Sequence, residues 1–272
     1  MVALSAVQSS NAILSKTLPL GLVGVFVGAT SGIGKAAVLK LAQYTRQPRL
    51  YFIGRSQRAA DEILPQLKQI NPDGQYEFIK ADASLLSVVD EVCESIQAKE
   101  TKVDVLFQSQ GTLDISTETS EKLPLVMALS YYSRMRFITN LLPLLQRSSL
   151  SRVVIVLAGT KEGPINPNDI PGRRVLPWKA RGHLCSMITL TLEYFAKRAP
   201  GGKGNTLSDG AEVAVGSDGV VGSGVYIVDE VCESGGQEVQ KVLDGLRNDG
   251  TQKIWEHLQS EFSRVTGKAG IQ

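Results

Sequence analysis

The chain alternates short, continuously apolar runs with longer segments in which apolar residues return every three or four positions. Residues 23–27 (Val-Gly-Val-Phe-Val) form a first run of strand length, and residues 35–42 carry the apolar spacing of a helix. The same alternation continues with a strand at 49–53 and a helix at 57–70. The turn Asn71-Pro72-Asp73-Gly74 then leads to a strand at 76–81. Asp82-Ala83-Ser84 opens a helix to about residue 98, with Ser84 as the expected N-cap. A strand at 103–107 precedes a long helix over 121–146, where Pro143 is expected to bend the end. The run at 153–157, β-branched from Val153 to Val156, predicts a strand covered on both faces. A loop rich in Pro and Gly (163–177) and a helix (178–198) follow, with Trp178 expected in the core or in a cleft wall. Strands alternating with helices predict an α/β fold, a doubly wound parallel sheet in a single domain spanning 1–272.

After residue 198 the pattern breaks. Residues 199–224 are dense in Gly, Ser, Asp and Asn. Only 212–215 and 225–228 have strand character, and they are expected to pair as a hairpin. A polar amphipathic helix over 238–265 closes the chain, and residues 1–20 read as an arm or short helix beside the first strand.

Composition narrows the function classes. A hydrophobic fraction of 43% can fill a core, and a net charge of +2 with 21% charged residues points to neither a nucleic-acid nor a membrane-surface partner. Cys93, Cys185 and Cys232 are too widely spaced for a disulfide framework. With His183 and His257 the only histidines, no metal site is expected. No apolar stretch reaches the length of a membrane span, and the first 20 residues lack a leader pattern. A reducing, cytoplasmic compartment is the expectation.

The chemistry begins where the first strand ends, in Gly28-Ala29-Thr30-Ser31-Gly32-Ile33-Gly34. A strand, a glycine-rich turn and a helix N-terminus together aim unpaired N–H groups and the positive end of a helix dipole at one point. Glycines are required because a β-carbon would hold a pyrophosphate away from the backbone. With Gly-x-x-x-Gly-x-Gly spacing and Thr30 and Ser31 inside, this turn resembles that of the short-chain dehydrogenase/reductase family. The resemblance implies a Rossmann-type sheet and a nicotinamide dinucleotide. Arg55 and Ser56 stand after the second strand, where an Arg accommodates a 2′-phosphate, so NADP (NADPH) is favoured over NAD. Asp82, with Ala83, matches the family's adenine contact. Gln108-Ser109-Gln110-Gly111 replaces the family's usual Asn-Asn-Ala-Gly beside the cofactor.

The family's catalytic Ser, Tyr and Lys do not carry over. Leu157-Ala158-Gly159-Thr160 offers Thr160 as the nearest hydroxyl to the Ser position. The Tyr and Lys positions fall near Leu176 and Ala180, with Lys179 one residue away, and the family Asn falls near Tyr131. The remaining candidates for the chemistry are Tyr131, Arg134, Asp169 and Lys179. Asp169 and Arg173 flank a Pro-Gly turn and are expected to pair, while Lys179 and His183 share a helix face. Tyr131-Tyr132-Ser133-Arg134 and Lys161-Glu162-Gly163 resemble a divergent fungal branch of the family, often found in secondary-metabolite pathways. By the family's frame, a strand and a substrate-covering loop after residue 200, roughly 50 to 70 residues, are missing. Three readings stay open. They are an NADP-dependent reductase of a small carbonyl compound, a non-redox cyclase or isomerase using Asp169 and Arg134, and a non-catalytic or truncated relative. The family also implies a homodimer or homotetramer built through the long helices.

Overall fold

The computed structural model describes residues 4–198, 236–247 and 249–270. Five strands form one parallel sheet: β1 (Val23–Val27), β2 (Arg49–Gly54), β3 (Gln75–Lys80), β4 (Val105–Gln108) and β5 (Arg152–Ile155). Their order is β3-β2-β1-β4-β5. The chain winds outward from β1 to β3, then crosses back to pair β4 with the other edge of β1. That reversal makes a crevice at the carboxyl ends of β1 and β4, where open α/β sheets bind ligands.

Side chains alternate along β1, so the sheet carries a core on each face. Val23, Val25 and Val27 join one cluster with residues of α4 (Leu86–Gln97), α6 (Ser133–Gln146), α7 (Pro177–Arg198), α8 (Gln237–Leu246) and α9 (Asp249–Thr266). Phe26, Leu50 and Phe52 join the other with residues of α2 (Gly32–Tyr44) and α3 (Gln57–Ile70), to which Leu14 of α1 (Leu4–Thr17) also contributes. Between α4 and α6 a short α5 (Leu125–Met127) runs into a π-helical stretch, Ala128–Tyr132, that continues directly into α6. Pro143 lies inside α6. No described helix is long and apolar enough to cross a membrane.

Four sequence expectations are corrected. Ser84 does not cap α4; the cap residue is Leu85, which makes no side-chain bond. Glu121 serves instead, accepting the N–H groups of Leu86 (2.6 Å) and Ser87 (3.0 Å). A carboxylate 35 residues away outcompetes the local hydroxyl because it also answers the helix dipole. The long helix therefore starts at Leu125, leaving Glu121 in the loop before it. The closing helix is two, α8 and α9. Finally, β5 is not covered on both faces: Val153 and Val154 are 36% and 40% exposed. Among the described residues β5 pairs with β4 alone, and the strand-like runs at 212–215 and 225–228 lie outside the described residues.

The α6 side is closed more tightly than a surface helix requires. Residues 127–139 are buried without a break, whereas α3 buries only Ala60, Ile63 and Leu67. One covered face gives a 3.6-residue rhythm; an unbroken run means cover all round. α4 lies on one side, where Asp90 takes the Arg136 guanidinium at 2.6 and 2.8 Å. α9 lies on another, with Phe262 under that guanidinium (4.8 Å) and His257 Nε2 bonded to the Tyr132 hydroxyl (2.7 Å). Trp255 of α9 stacks on Tyr194 of α7 at 4.1 Å.

Candidate functional site

All βα turns of a parallel sheet emerge at its carboxyl edge, and the site is assembled there. The turn after β1 is fixed by three glycines with different reasons. Gly28 has φ +79°, and a Cβ there would stand 2.6 Å from the Gln110 amide nitrogen. A Cβ on Gly34 would meet Gly28 O and Ser109 Oγ at 2.5 Å. Gly32, at φ +53°, faces nothing within 4 Å. The turn is thus pressed against β4 on its inner side and open on its outer side. Ser31 makes no side-chain cap on α2, so the first-turn N–H groups have no hydroxyl or carboxylate answering them. Ser31, Gly32 and Ile33 are exposed, and Thr30 is half-buried against Gly54. This cradle fits a pyrophosphate. Its backbone approaches closely, Gly28 and Ala29 N–H are anchored on Ile53 O, and the first-turn amides of α2 meet no side-chain cap on the open side.

The next turns place the remaining cofactor candidates in order along the edge. Arg55 is exposed just past β2 and has no ionic partner among the described residues. No carboxylate stands at 54–56 to claim a ribose hydroxyl. Ser56 caps α3 by accepting Ala59 N–H through Oγ, which uses an acceptor lone pair and not the O–H donor. Asp82 accepts Ser84 N–H at 3.0 Å and shapes the turn, with Ala83 buried beside it. Ser109 Oγ reaches Val27 O and Gly28 O (both 3.3 Å) and so ties the cradle to β4. Gln108 is fully buried and donates to Arg134 O; it faces the protein rather than the crevice.

The catalytic candidates are not brought together. Tyr131 is fully buried in the π-helical stretch, bonded to Thr191 Oγ1 at 2.9 Å, and burial holds its hydroxyl far above its ordinary pKa. Arg134 is 1% exposed and donates to Gln110 O (2.5 Å) and Val156 O (2.9 Å), bridging the ends of β4 and β5. Asp169 does not pair with the Arg173 guanidinium. Its two oxygens accept the backbone N–H groups of Arg173 (3.0 Å) and Arg174 (2.6 Å). The Arg173 guanidinium goes to Glu118 and to Lys122 O instead. A tight turn satisfies its own amides first, because buried unpaired N–H groups are costly. Lys179 is exposed in the first turn of α7 with no ion-pair partner among the described residues. Its expected face-mate His183 is buried, with Nε2 2.9 Å from Ile170 O and Nδ1 3.4 Å from Asn166 N, pinning the loop. Trp178, expected in the core or a wall, is 74% exposed.

Sequence reasoning missed several positioning groups. Thr160, read from the sequence only as the nearest hydroxyl to the family Ser, stands at φ +68°, the left-handed region that a branched side chain rarely adopts. Gly163 and Gly182 cross so closely that a Cβ on either would sit about 3 Å from the other's backbone, and Ser186 bonds both the N–H and the C=O of Gly163. The buried cluster Gln108–Gln110–Ser133–Arg134 had no signal in any single segment. A cleft of about 190 Å³ between α4 and α6 lies away from the carboxyl edge. Its Asp90, Lys268 and Gln97 are already paired, with Arg136, Glu94 and Asn140 O. The described residues contain no group of His, Cys, Asp or Glu able to hold a metal ion.

A cradle of this kind at the switch point of a parallel sheet defines a dinucleotide-binding α/β protein. Residues 23–166, more than half the chain, match the family model for short chain dehydrogenases. The chain belongs to the short-chain dehydrogenase/reductase family, and its relatives place it in a fungal branch. It is 31% identical to oxidoreductase andH of Emericella variicolor over an alignment of 338 positions, covering 99% of each chain. Since this chain has 272 residues, that alignment leaves several tens of positions without a counterpart here. It is 41% identical to oxidoreductase AN1596 of Emericella nidulans over 203 residues, 74% of this chain and 60% of that one. Its fold matches solved structures, among them an NADH-dependent reductase complexed with NAD (TM-score 0.54, 17% identity, 68% and 74% of the two chains). Another is a short chain dehydrogenase from Escherichia coli complexed with NADPH (TM-score 0.51, 17% identity, 68% and 74%).

Proposed function

We propose that this chain, one domain over 1–272, is an NADP-dependent oxidoreductase of a small carbonyl or alcohol compound in fungal secondary metabolism. The observation that carries the reading is the cradle of Gly28, Gly32 and Gly34, closed toward Ser109 and Gln110 and open toward solvent. Thr30, Ser31 and Ile33 complete that turn, and Asp82 and Ala83 shape the edge beyond β3. Arg55 would hold the 2′-phosphate. When bound, the nicotinamide supplies the hydride chemistry. The protein's own contribution is to hold the dinucleotide across the switch point and to offer a proton at the substrate oxygen. Of Tyr131, Arg134, Asp169 and Lys179, only Lys179 is exposed, so we assign it the proton transfer. Tyr131 and Asp169 act by holding the π-helical stretch and the loop at 163–177. We keep the homodimer or homotetramer that the family implies, with α9 covering one face of α6.

Titration of the purified protein with NADPH, followed by calorimetry, tests the reading. Binding is expected, with Gly34→Ala abolishing it and Lys179→Ala leaving it intact while lowering turnover. No heat with NADPH, NADP+, NADH or NAD+ overturns it.

A further inference from the structure

Among the described residues Arg134 is a cation without a counter-charge. Its guanidinium is 1% exposed, and among the described residues no carboxylate lies within ion-pair distance of it. Its bonds go to two carbonyls, Gln110 O and Val156 O, and its Nε has no partner. Around it stand neutral groups: Gln108, Gln110, Ser133 and the thiol of Cys185. Burial pushes that thiol up to about 12, so it supplies no negative charge. Burial also lowers the Arg134 guanidinium to about 10, which leaves it protonated at neutral pH. Proteins rarely leave a buried charge unpaired, because losing hydration is costly. By contrast, Arg136, two residues on, is bound bidentately by Asp90.

Strand order says what this charge faces. The adenosine half of a dinucleotide lies over the carboxyl ends of β2 and β3, beside Arg55, and the cradle holds the pyrophosphate after β1. The nicotinamide half therefore lies toward β4 and β5, the two ends that Arg134 bridges. A Cβ on Gly111, at the end of that segment, would stand 3.7 Å from Arg134 Nη2.

We propose that Arg134 is an electrostatic positioning residue that makes the protein discriminate between the two redox states of its dinucleotide, favouring the reduced form. This rests on the dinucleotide reading above. The oxidised nicotinamide ring is cationic and the reduced ring is neutral, while every phosphate is common to both. A fixed cation at the β4 and β5 ends would destabilise only the oxidised form of a ring held on that side. At roughly 10 Å and an effective dielectric constant of about 20, Coulomb's law gives more than a tenfold preference.

The test is calorimetric titration of the full chain with NADPH and NADP+, and with NADH and NAD+, at 25 °C. The wild type is expected to bind the reduced form of whichever pair it accepts at least about tenfold more tightly. Arg134→Lys should keep that ratio, and Arg134→Gln should bring it to within about threefold of unity. A structural role alone would weaken both forms equally and leave the ratio unmoved. Should Arg134→Gln not fold, the wild type decides by its salt response. A buried charge keeps the ratio constant between about 0.05 and 0.5 M salt, whereas a ratio that collapses belongs to surface charges and overturns the proposal. Equal affinity for the two forms in the wild type, or an unchanged ratio in Arg134→Gln, overturns it while the dinucleotide reading stands. Failure to bind any of the four overturns both.

Discussion

β1 and β5 are both short parallel strands rich in valine, yet one is sealed and the other open. Every residue of β1 is buried, between β2 and β4 and between two helix layers. β5 has one neighbour among the described residues and leaves Val153 and Val154 more than a third exposed. The difference extends to the turns that follow. The turn after β1 is a cradle held by three glycines and Ser109. The turn after β5 carries neither a Ser nor a nearby Tyr, and its loop is pinned by Asp169 and His183 on their own backbone neighbours. The glycine cradle stands where the sheet is paired on both sides, and the scattered catalytic candidates stand beside the strand that has one neighbour among the described residues.

The comparison can be broken most forcefully in the cores. Phe52→Ala, in a fully buried position between β2 and the α2–α3 layer, should cost about 3–5 kcal/mol, measured by urea unfolding. Asp90→Asn removes the carboxylate that answers buried Arg136 and should cost a similar amount, about 3–5 kcal/mol. If Asp90→Asn were neutral, the α6–α9 packing would not be the second core described here.

Next in size is the cradle. Gly28→Ala forces a Cβ against Gln110 N at a positive φ and should cost about 1–3 kcal/mol, seen as a lower thermal midpoint. Selectivity follows at Arg55. On the NADP reading proposed above, Arg55→Asp should shift the NADPH-to-NADH preference by roughly tenfold toward NADH, read from the two Kd values, because a carboxylate there would favour a ribose hydroxyl over a 2′-phosphate.

These outcomes bear on what the sequence made legible. The boundaries of β1 and α3 follow directly from apolar spacing, and those of β2 and β3 within a residue, because each is set by its own periodicity and its own turn. The cradle was legible for the same reason: seven consecutive residues contain it. The cap on α4 was not, because Glu121 reaches it from a distant loop. Nor was the break between α8 and α9, nor the burial of Tyr131 and Arg134, whose surroundings come from elements 20 to 60 residues away. A Tyr-Arg pair on a helix reads as chemistry until packing shows it sealed.

The smallest effects are the sharpest tests of the open side. Burial lowers the His257 pKa below its ordinary 6.5, while its ring bonds the Tyr132 hydroxyl. A lowered folded pKa means that the unfolded chain takes up the proton first. The stability His257 contributes is therefore complete above about pH 6.5 and is lost as pH falls through its folded pKa. The thermal midpoint should fall between pH 7.5 and 5.5, and His257→Gln should reduce that dependence. Smaller still is Val154→Ala, expected to cost below about 1 kcal/mol at its half-open position. A cost matching Phe52→Ala would mean that β5 is covered in solution. In sedimentation, a dimer or tetramer is expected; a single 29.3 kDa species would mean that α9 closes α6 against a second subunit.

The sequence by itself determined the order of the five described strands, the glycine cradle and the family, because these depend on residues close together in the chain. It also showed that the usual Ser-Tyr-Lys set is absent. The tertiary structure decided which candidates meet solvent: Lys179 does, while Tyr131, Arg134 and Asp169 do not. It also decided that α6 is enclosed and that β5, among the described residues, pairs on one side alone. Those outcomes depend on which segments pack together across long separations, and no local pattern encodes the cost of burying a charge or leaving a strand edge unpaired.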